Sequence, residues 1–397
     1  MTLHQYLEKK KEMQEKLISF IDEESEEKNS FDELIKYFKN TSLIQNRDEF
    51  KNTLYLLLKV ANNHQRTPNF FEKIEQILLS IKDEIKQTLS NFEIFHIFKS
   101  NKRILLFLIK TEIIIPDSSF VATFSNPRYR YTQFKFQNFL LPEIENLLDK
   151  KTSKKIKGEI SRMLNLRVKN LTESEEFEKR RKIGENDNFI CQLIRNDSIE
   201  EFIIHVNKNN LSLKSKIKPS IFETNTFLLK NEPTLIEYAA FFGSVQIFQY
   251  LRLNGAQIKP SIWLFAIHGR NPELINILEE SKIDPPNNSY QECLNESLKC
   301  HHFEITDYIM VNLLTFENQE EKEKIFMMST KYVNYRYFPN NLTYSKTFYY
   351  LCKYDYIEIV KLLMNNEDVK IEFKNIFNQK FFLFNLKIFI FKSNFKI

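Results

Sequence analysis

Apolar residues recur at helical spacing along most of this chain. Phe31, Leu34, Ile35 and Phe38 fall at i, i+3, i+4 and i+7, which puts them on one helix face. Leu54, Leu57, Leu58 and Ala61 repeat that spacing between Asp48 and Asn62. Pro68 and Asn69 open a longer stripe of Phe70, Ile74, Ile77, Leu78, Ile81, Ile85 and Leu89, and a proline suits the first turn of a helix. From Phe92 to Ile115, two short apolar stretches flank Ser100-Asn101-Lys102 and predict a helix pair that ends at Pro116. The pattern breaks over Asp117 to Gln137. There Pro127, several serines and the alternation of Arg128 to Phe136 predict a loop with a short strand. Helix resumes from Glu143 to Leu148.

Lys150 to Lys182 is highly charged, running KKTSKKIK, then ESEEFE, then KRRK. A linker or solvated helices, and a domain boundary, are expected there. Ile190 to Val206 reads as a helix pair split at Asn196-Asp197-Ser198, and Leu211 to Lys230 as an irregular connection. The expected organisation is a helical region over 1–149, the charged segment 150–182, a repeat region over 183–369 and an atypical apolar tail over 370–397.

The repeat signal is clearest from Thr234 to Ala256. Thr234, Ile236, Ala239, Ala240, Gly243, Ile247, Phe248, Leu251, Gly255 and Ala256 resemble an ankyrin repeat in kind and spacing. Leu235, Glu237 and Ser244 depart from that pattern, standing where it has a proline and two histidines. Physical reasoning agrees with the resemblance. A threonine hydroxyl caps a helix start, paired alanines let helices approach, and glycine permits the tight turn between them. Further copies align Ala266, Arg270, Leu274, Ile275 and Leu278, then Ser297, His301, His302, Ile305 and Ile309, then Leu351, Asp355, Tyr356, Ile359, Val360 and Leu363. An earlier copy is expected around Asp197 to Phe202. The gap from Glu317 to Ser345 implies an insertion or an unreadable repeat.

The whole chain is similar to an ankyrin-related family, expanded in some parasitic protists, whose members join a helical N-terminal region to degenerate and then regular repeats. NEPTLIEYAAFFGSVQIFQYLRLNGA is the block that most resembles it, with HQRTPNFFEKIE and IFKSNKRILLFLI resembling its earlier part. The resemblance implies an all-α fold, with a helical N-terminal region followed by an ankyrin-like helix-pair solenoid. It also implies protein binding and no catalysis. The chain departs from the family at its end, where FKNIFNQKFFLFNLKIFIFKSNFKI is almost wholly Phe, Ile, Lys, Leu and Asn. A truncated array without a polar cap is expected there, as from a frameshift or a missed gene boundary.

Composition narrows the function classes. Only 5 glycines occur in 397 residues, which disfavours folds that bring backbone against phosphate. The net charge of +5 is mild and its signs are interspersed, so a concentrated nucleic-acid face is not evident. The 4 cysteines are too few and scattered for a disulfide framework and fit a reducing compartment. With no apolar leader and no membrane-length apolar run, a soluble intracellular protein is expected, cytoplasmic with the nucleus as the alternative.

Candidate chemistry is sparse. No phosphate loop, Gly-x-Gly-x-x-Gly, His-Glu-x-x-His or Gly-x-Ser-x-Gly occurs, so no catalytic or cofactor-binding residue is assigned. Cys293, Cys300, His301 and His302 match no common zinc spacing, so no metal site is assigned either. The basic region 150–182 and the interleaved Arg128–Phe136 and Lys331–Phe338 segments carry the alternative reading, a nucleic-acid-binding protein. Solvated or amphipathic surface is the preferred account of all three. Tyr238, Phe241, Phe242, Phe265 and His268 lie at the variable positions around the paired alanines. They are either anchors for an unidentified protein partner or packing residues between repeats.

Overall fold

A computed structural model describes residues 2–23, 28–40, 46–67, 69–125, 136–164, 175–314, 319–339 and 345–364. Of the loop expected over Asp117 to Gln137, Ser118–Ser125 is a helix and Phe136 and Gln137 are helical, while 126–135, with most of the expected Arg128 to Phe136 strand, Pro68 and the 370–397 tail lie outside the described residues. The fold is all-α: no strand occurs among the described residues, and the one isolated bridge joins Lys216 to Thr234. No helix among them is long and apolar enough to cross a membrane.

The chain divides into two compact units that do not follow chain order. A terminal unit comprises Met1–Val60, Arg66–Ile74 and Pro285–Ile397, and a central unit comprises Ala61–Gln65 and Glu75–Asp284. Residues 1–149 therefore contribute helices to both, and so do the repeats read from the sequence.

The central unit contains the helix pair expected before Pro116, formed by Asn91–Phe98 and Lys102–Lys110. Three further pairs follow, Phe189–Arg195 with Ile199–Lys208, Leu235–Phe242 with Val245–Leu253, and Ile262–Gly269 with Pro272–Glu280. Their first helices pack in sequence, 189–195 on 235–242 and 235–242 on 262–269. Thr234 caps its helix as expected, and Glu237 returns a bond to the Thr234 amide at 2.9 Å, completing a capping box. Gly269 lies so close to the Ala240 carbonyl that a Cβ there would collide with it. Trp263 is buried and donates its indole N–H to the Ile283 carbonyl at 2.8 Å, tying the end of its pair to its start.

In the terminal unit, Gln291–Cys300 pairs with Phe303–Tyr308, and Ser345–Lys353 pairs with Ile357–Met364. Between them lies Gln319–Tyr332, followed by the short 3₁₀ turn Tyr335–Tyr337 where the other pairs have a second helix. Helix 319–332 packs on both 291–300 and 345–353. The gap left in the sequence reading thus holds a further helix and turn in the same stack. The N-terminal helix Leu3–Asp22 packs on the Tyr335–Tyr337 turn and on Ile357–Met364. Gln14, fully buried in that helix, donates to Asn334 Oδ1 at 2.8 Å and accepts from the Arg336 amide at 3.2 Å.

One turn geometry recurs through both units. Asp197, Gly243, Arg270, His301, Val333 and Asp355 each follow a first helix and each adopt positive φ, between 47° and 70°. After most of them the next amide bonds back five residues: Ser198 to Leu193, Ser244 to Ala239, His302 to Ser297, Asn334 to Ser329 and Tyr356 to Leu351. This is the Schellman closure, which satisfies carbonyls a helix end would otherwise leave open. The residue after the positive-φ position often also reaches the preceding turn. Ser244 Oγ donates to the Ile194 carbonyl, Asn334 Nδ2 to the Leu298 carbonyl at 2.9 Å, and the Tyr356 hydroxyl to the Thr330 carbonyl at 2.9 Å. Each acceptor lies three residues before its own positive-φ residue. Asn271 makes a variant of this bond, to the Gly243 carbonyl at 3.2 Å.

Candidate interaction surface

Four of the five candidate anchors are buried. Tyr238, Phe241, Phe265 and His268 are each less than 5% exposed, and Phe242 is half-buried. The chain itself covers them. Phe227, on the short helix Thr226–Asn231, lies 4.8 Å from the Phe265 ring, 4.3 Å from the His268 ring and 6.1 Å from Phe241. Arg195 donates to the Tyr238 hydroxyl at 2.9 Å, pairs with Glu185 at 2.7 Å, and sits 5.9 Å from the Phe242 ring. Burial raises the Tyr238 phenol well above its ordinary value, with Cys191 and Glu223 adding to the effect. Of the two sequence readings, burial matches packing between repeats for these four. Aromatic content alone could not separate the readings, because Phe227 comes from a segment read as an irregular connection and Arg195 from the preceding helix pair.

The other candidate residues are similarly engaged. Within KRRK, Arg180 bonds Glu176 and Asp187 at 2.7 Å each. Arg181 is fully buried, bonds Glu143 at 2.6 and 2.9 Å and donates to the Phe139 carbonyl at 2.9 Å. Upstream, Lys157 pairs with Glu145 at 2.5 Å. His301 stands at a positive-φ turn with Nδ1 2.8 Å from Gln14 Nε2, and His302 follows it in the same turn. All four cysteines are buried thiols, and burial pushes Cys191 and Cys293 up to about 12. Such thiols stay protonated and unreactive.

A shallow cleft in the central unit is lined by Asn186, Lys218, Ser220, Glu223 and Tyr238, among others. Its polar groups are bonded to one another: Asn186 Nδ2 donates to the Lys218 carbonyl at 2.8 Å, and Ser220 Oγ donates to Asp187 at 2.6 Å.

A different surface stands out in the terminal unit. Lys299, Lys331 and Lys353 each lie two residues before a positive-φ turn residue, so they occupy equivalent places at the ends of three successive first helices. Lys331 and Lys353 are exposed. Half-exposed tyrosines surround them. Lys331 Nζ is 5.0 Å from the Tyr332 ring, and Lys353 Nζ is 5.5, 5.9 and 5.6 Å from Tyr349, Tyr350 and Tyr354. Lys59 adds a third ammonium, 5.8 Å from Tyr332. Burial lowers the Lys59 ammonium below the usual lysine range, and Lys331 and Lys299 lower it further. Lys299 is neutralised by Glu296 at 2.6 Å. The sequence signal for this surface was the basic–aromatic run beginning at Lys331. Its partner residues in 345–354 and Lys59 became visible only through packing.

Comparison with protein-family models, curated proteins and solved structures returned no match.

Proposed function

We propose that this chain is an ankyrin-type helix-pair array that binds another protein, with no catalytic role. The observation that carries the reading is the recurring turn. A positive-φ residue and a side chain donating to the preceding turn are repeated with Ser244, Asn334 and Tyr356 in equivalent places. Such stitching holds neighbouring helix pairs in fixed register, and fixed register is what a repeat protein uses to present an extended surface. The central unit covers four of its five candidate anchors with its own chain. The exposed lysines and half-exposed tyrosines at the first-helix ends of the terminal unit are therefore the favoured contact surface. The nucleic-acid reading is weaker, because Arg180 and Arg181 of the basic run are already paired within the protein.

Affinity purification of the full chain, with and without nuclease, tests the reading. A protein partner recovered reproducibly and retained after nuclease is the expected result. Recovery of no partner, or loss of the partner on nuclease treatment, would contradict it.

A further inference from the structure

We infer that His301 is an acid-sensitive latch on the N-terminal helix. Its neutral ring holds helix 3–22 against the turns of the terminal unit, and a proton on that ring opens the contact. This goes beyond the protein-binding reading and does not rest on it.

The seam between helix 3–22 and those turns is polar. Lys10 and Gln14, both fully buried, lie on it, with Lys10 paired to Glu49 and its Nζ 5.8 Å from the Tyr335 ring. Gln14 reaches three residues on two successive turns: His301, Asn334 and Arg336. A buried network of this kind holds only while each donor meets an acceptor.

The network fixes every role within it. Asn334 Nδ2 donates to the Leu298 carbonyl at 2.9 Å, so the atom it turns to Gln14 is Oδ1. The Arg336 backbone N–H can only donate, so the Gln14 atom 3.2 Å from it is Oε1. Gln14 Nε2 therefore points its two hydrogens at Asn334 Oδ1 and His301 Nδ1, each at 2.8 Å. His301 Nδ1 must then be the bare nitrogen of a neutral ring, with the ring proton on Nε2.

Protonation removes that acceptor. An imidazolium carries N–H at both nitrogens, so Nδ1–H would face the Gln14 N–H. Turning the Gln14 amide over would set its oxygen against Asn334 Oδ1 and its NH2 against the Arg336 N–H. Turning the ring over would put a C–H group where Nδ1 stood. His301, Gln14 and Asn334 are all buried, so water replaces the lost bond only if the helix moves.

The direction of the effect follows from linkage. The docked helix admits only the neutral ring, whereas in the open state the imidazole ionises near its ordinary value of about 6.5. Docking is therefore complete above about pH 6.5 and weakens as pH falls below it. Charged groups on the elements around His301 are Glu296 and Lys299, paired at 2.6 Å, and Arg336, paired with Glu15 at 3.1 Å and Asp307 at 3.2 Å. Glu304, Lys331 and the Lys10–Glu49 pair complete the set, and His302 is a second buried imidazole in the same turn. Whatever field these groups exert, Nδ1 itself faces the Gln14 amide.

A purely structural account of His301 also exists. Histidine is among the residue types that tolerate positive φ, and His301 has φ of 58°. That role predicts lower stability on substitution and no dependence on pH.

The test is hydrogen exchange on the full chain at pH 7.5 and pH 5.0, with labelling times rescaled for the intrinsic exchange rate. Most carboxylates remain ionised at the lower pH. Protection of 3–22 and 333–337 is expected to fall about thirtyfold, the effect of an imidazole that takes up its proton only when the helix is open. Helices 235–242 and 245–253 are expected to keep their protection. His301→Asn retains an acceptor and tolerates positive φ, so its protection should be nearly equal at the two pH values. His301→Gly takes the turn without strain but loses the Gln14 bond, so its protection should be weaker and equally independent of pH. The inference is overturned if wild-type protection of 3–22 does not change with pH, or if helices 235–253 lose protection equally. It is overturned as well if either variant keeps the wild-type fall, which would move the effect to His302 or to the carboxylates.

Discussion

Asn334 donates its side-chain amide to the Leu298 carbonyl at 2.9 Å and accepts from Gln14, 320 positions away, at 2.8 Å. One buried residue thus stitches two helix turns together and holds the N-terminal helix against them. Removing a partner from a buried polar pair leaves the other group unsatisfied, at a cost of about 1–3 kcal/mol. Asn334→Ala and Gln14→Ala should each lower stability by that amount in urea unfolding. Because they share a bond, the double variant should fall short of the sum by about 0.5–3 kcal/mol. Additive losses would show that the two residues do not act together.

The Arg181–Glu143 pair should behave unlike the neighbouring Arg180 pairs. Arg181 is fully buried and bonds both Glu143 and Glu178, so Glu143→Ala removes one of its two carboxylates and should cost about 1–3 kcal/mol. Arg180 is part-exposed, and Arg180→Ala should cost about 1 kcal/mol or less. Denaturant midpoints of the two variants decide this, and equal midpoints would contradict the burial of Arg181.

Gly269 and Gly255 offer a paired test of close packing. An added Cβ at Gly269 would meet the Ala240 carbonyl, whereas at Gly255, which has φ of 80°, nothing lies within 4 Å. Gly255→Ala should therefore cost only its backbone strain, about 1–2 kcal/mol. Gly269→Ala should cost more, because helices 235–242 and 262–269 must move apart. A reversed order in thermal melting would contradict the contact between these helices.

Alkaline pH should destabilise the fold. In the unfolded chain, thiols ionise near 9.0 and phenols near 10.0, whereas in the folded chain burial holds Cys191 and Cys293 at about 12. Burial likewise raises Cys300, Tyr6, Tyr238, Tyr335 and Tyr356. The folded state therefore binds more protons in this range, so the stabilisation is full below about pH 9 and is lost as pH rises towards 12. Lys10, Lys59, Lys73 and Lys110, each lowered by burial, act in the opposite sense but are fewer than the raised thiols and phenols. Melting temperature should fall between pH 8 and 10.5, and a flat or rising profile would contradict these burials. The same burial predicts that a thiol reagent at neutral pH labels the cysteines only after denaturant is added.

Much of the fold was legible from local pattern. Thr234, Gly243 and the apolar stripes marked the 235–253 pair, because capping and tight turns leave residue-type signatures. The turn at Val333 escaped because a β-branched residue holds a positive φ there, which residue type would not suggest. Glycine occupies only one of the equivalent turn positions, Gly243, so a search for glycine finds one copy. The burial of Tyr238 and His268 was illegible for another reason: it depends on Arg195 and Phe227, whose approach has no sequence period. The lysine row is legible in hindsight only, once the positive-φ residues set a common register for Lys299, Lys331 and Lys353.

Hydrogen exchange on the full chain, with and without a captured partner, tests the binding account most directly. The account predicts new protection in peptides covering 327–339 and 347–356, where Lys331, Tyr332, Lys353 and Tyr354 lie. Protection confined to 150–183, or none anywhere in the chain, would contradict it.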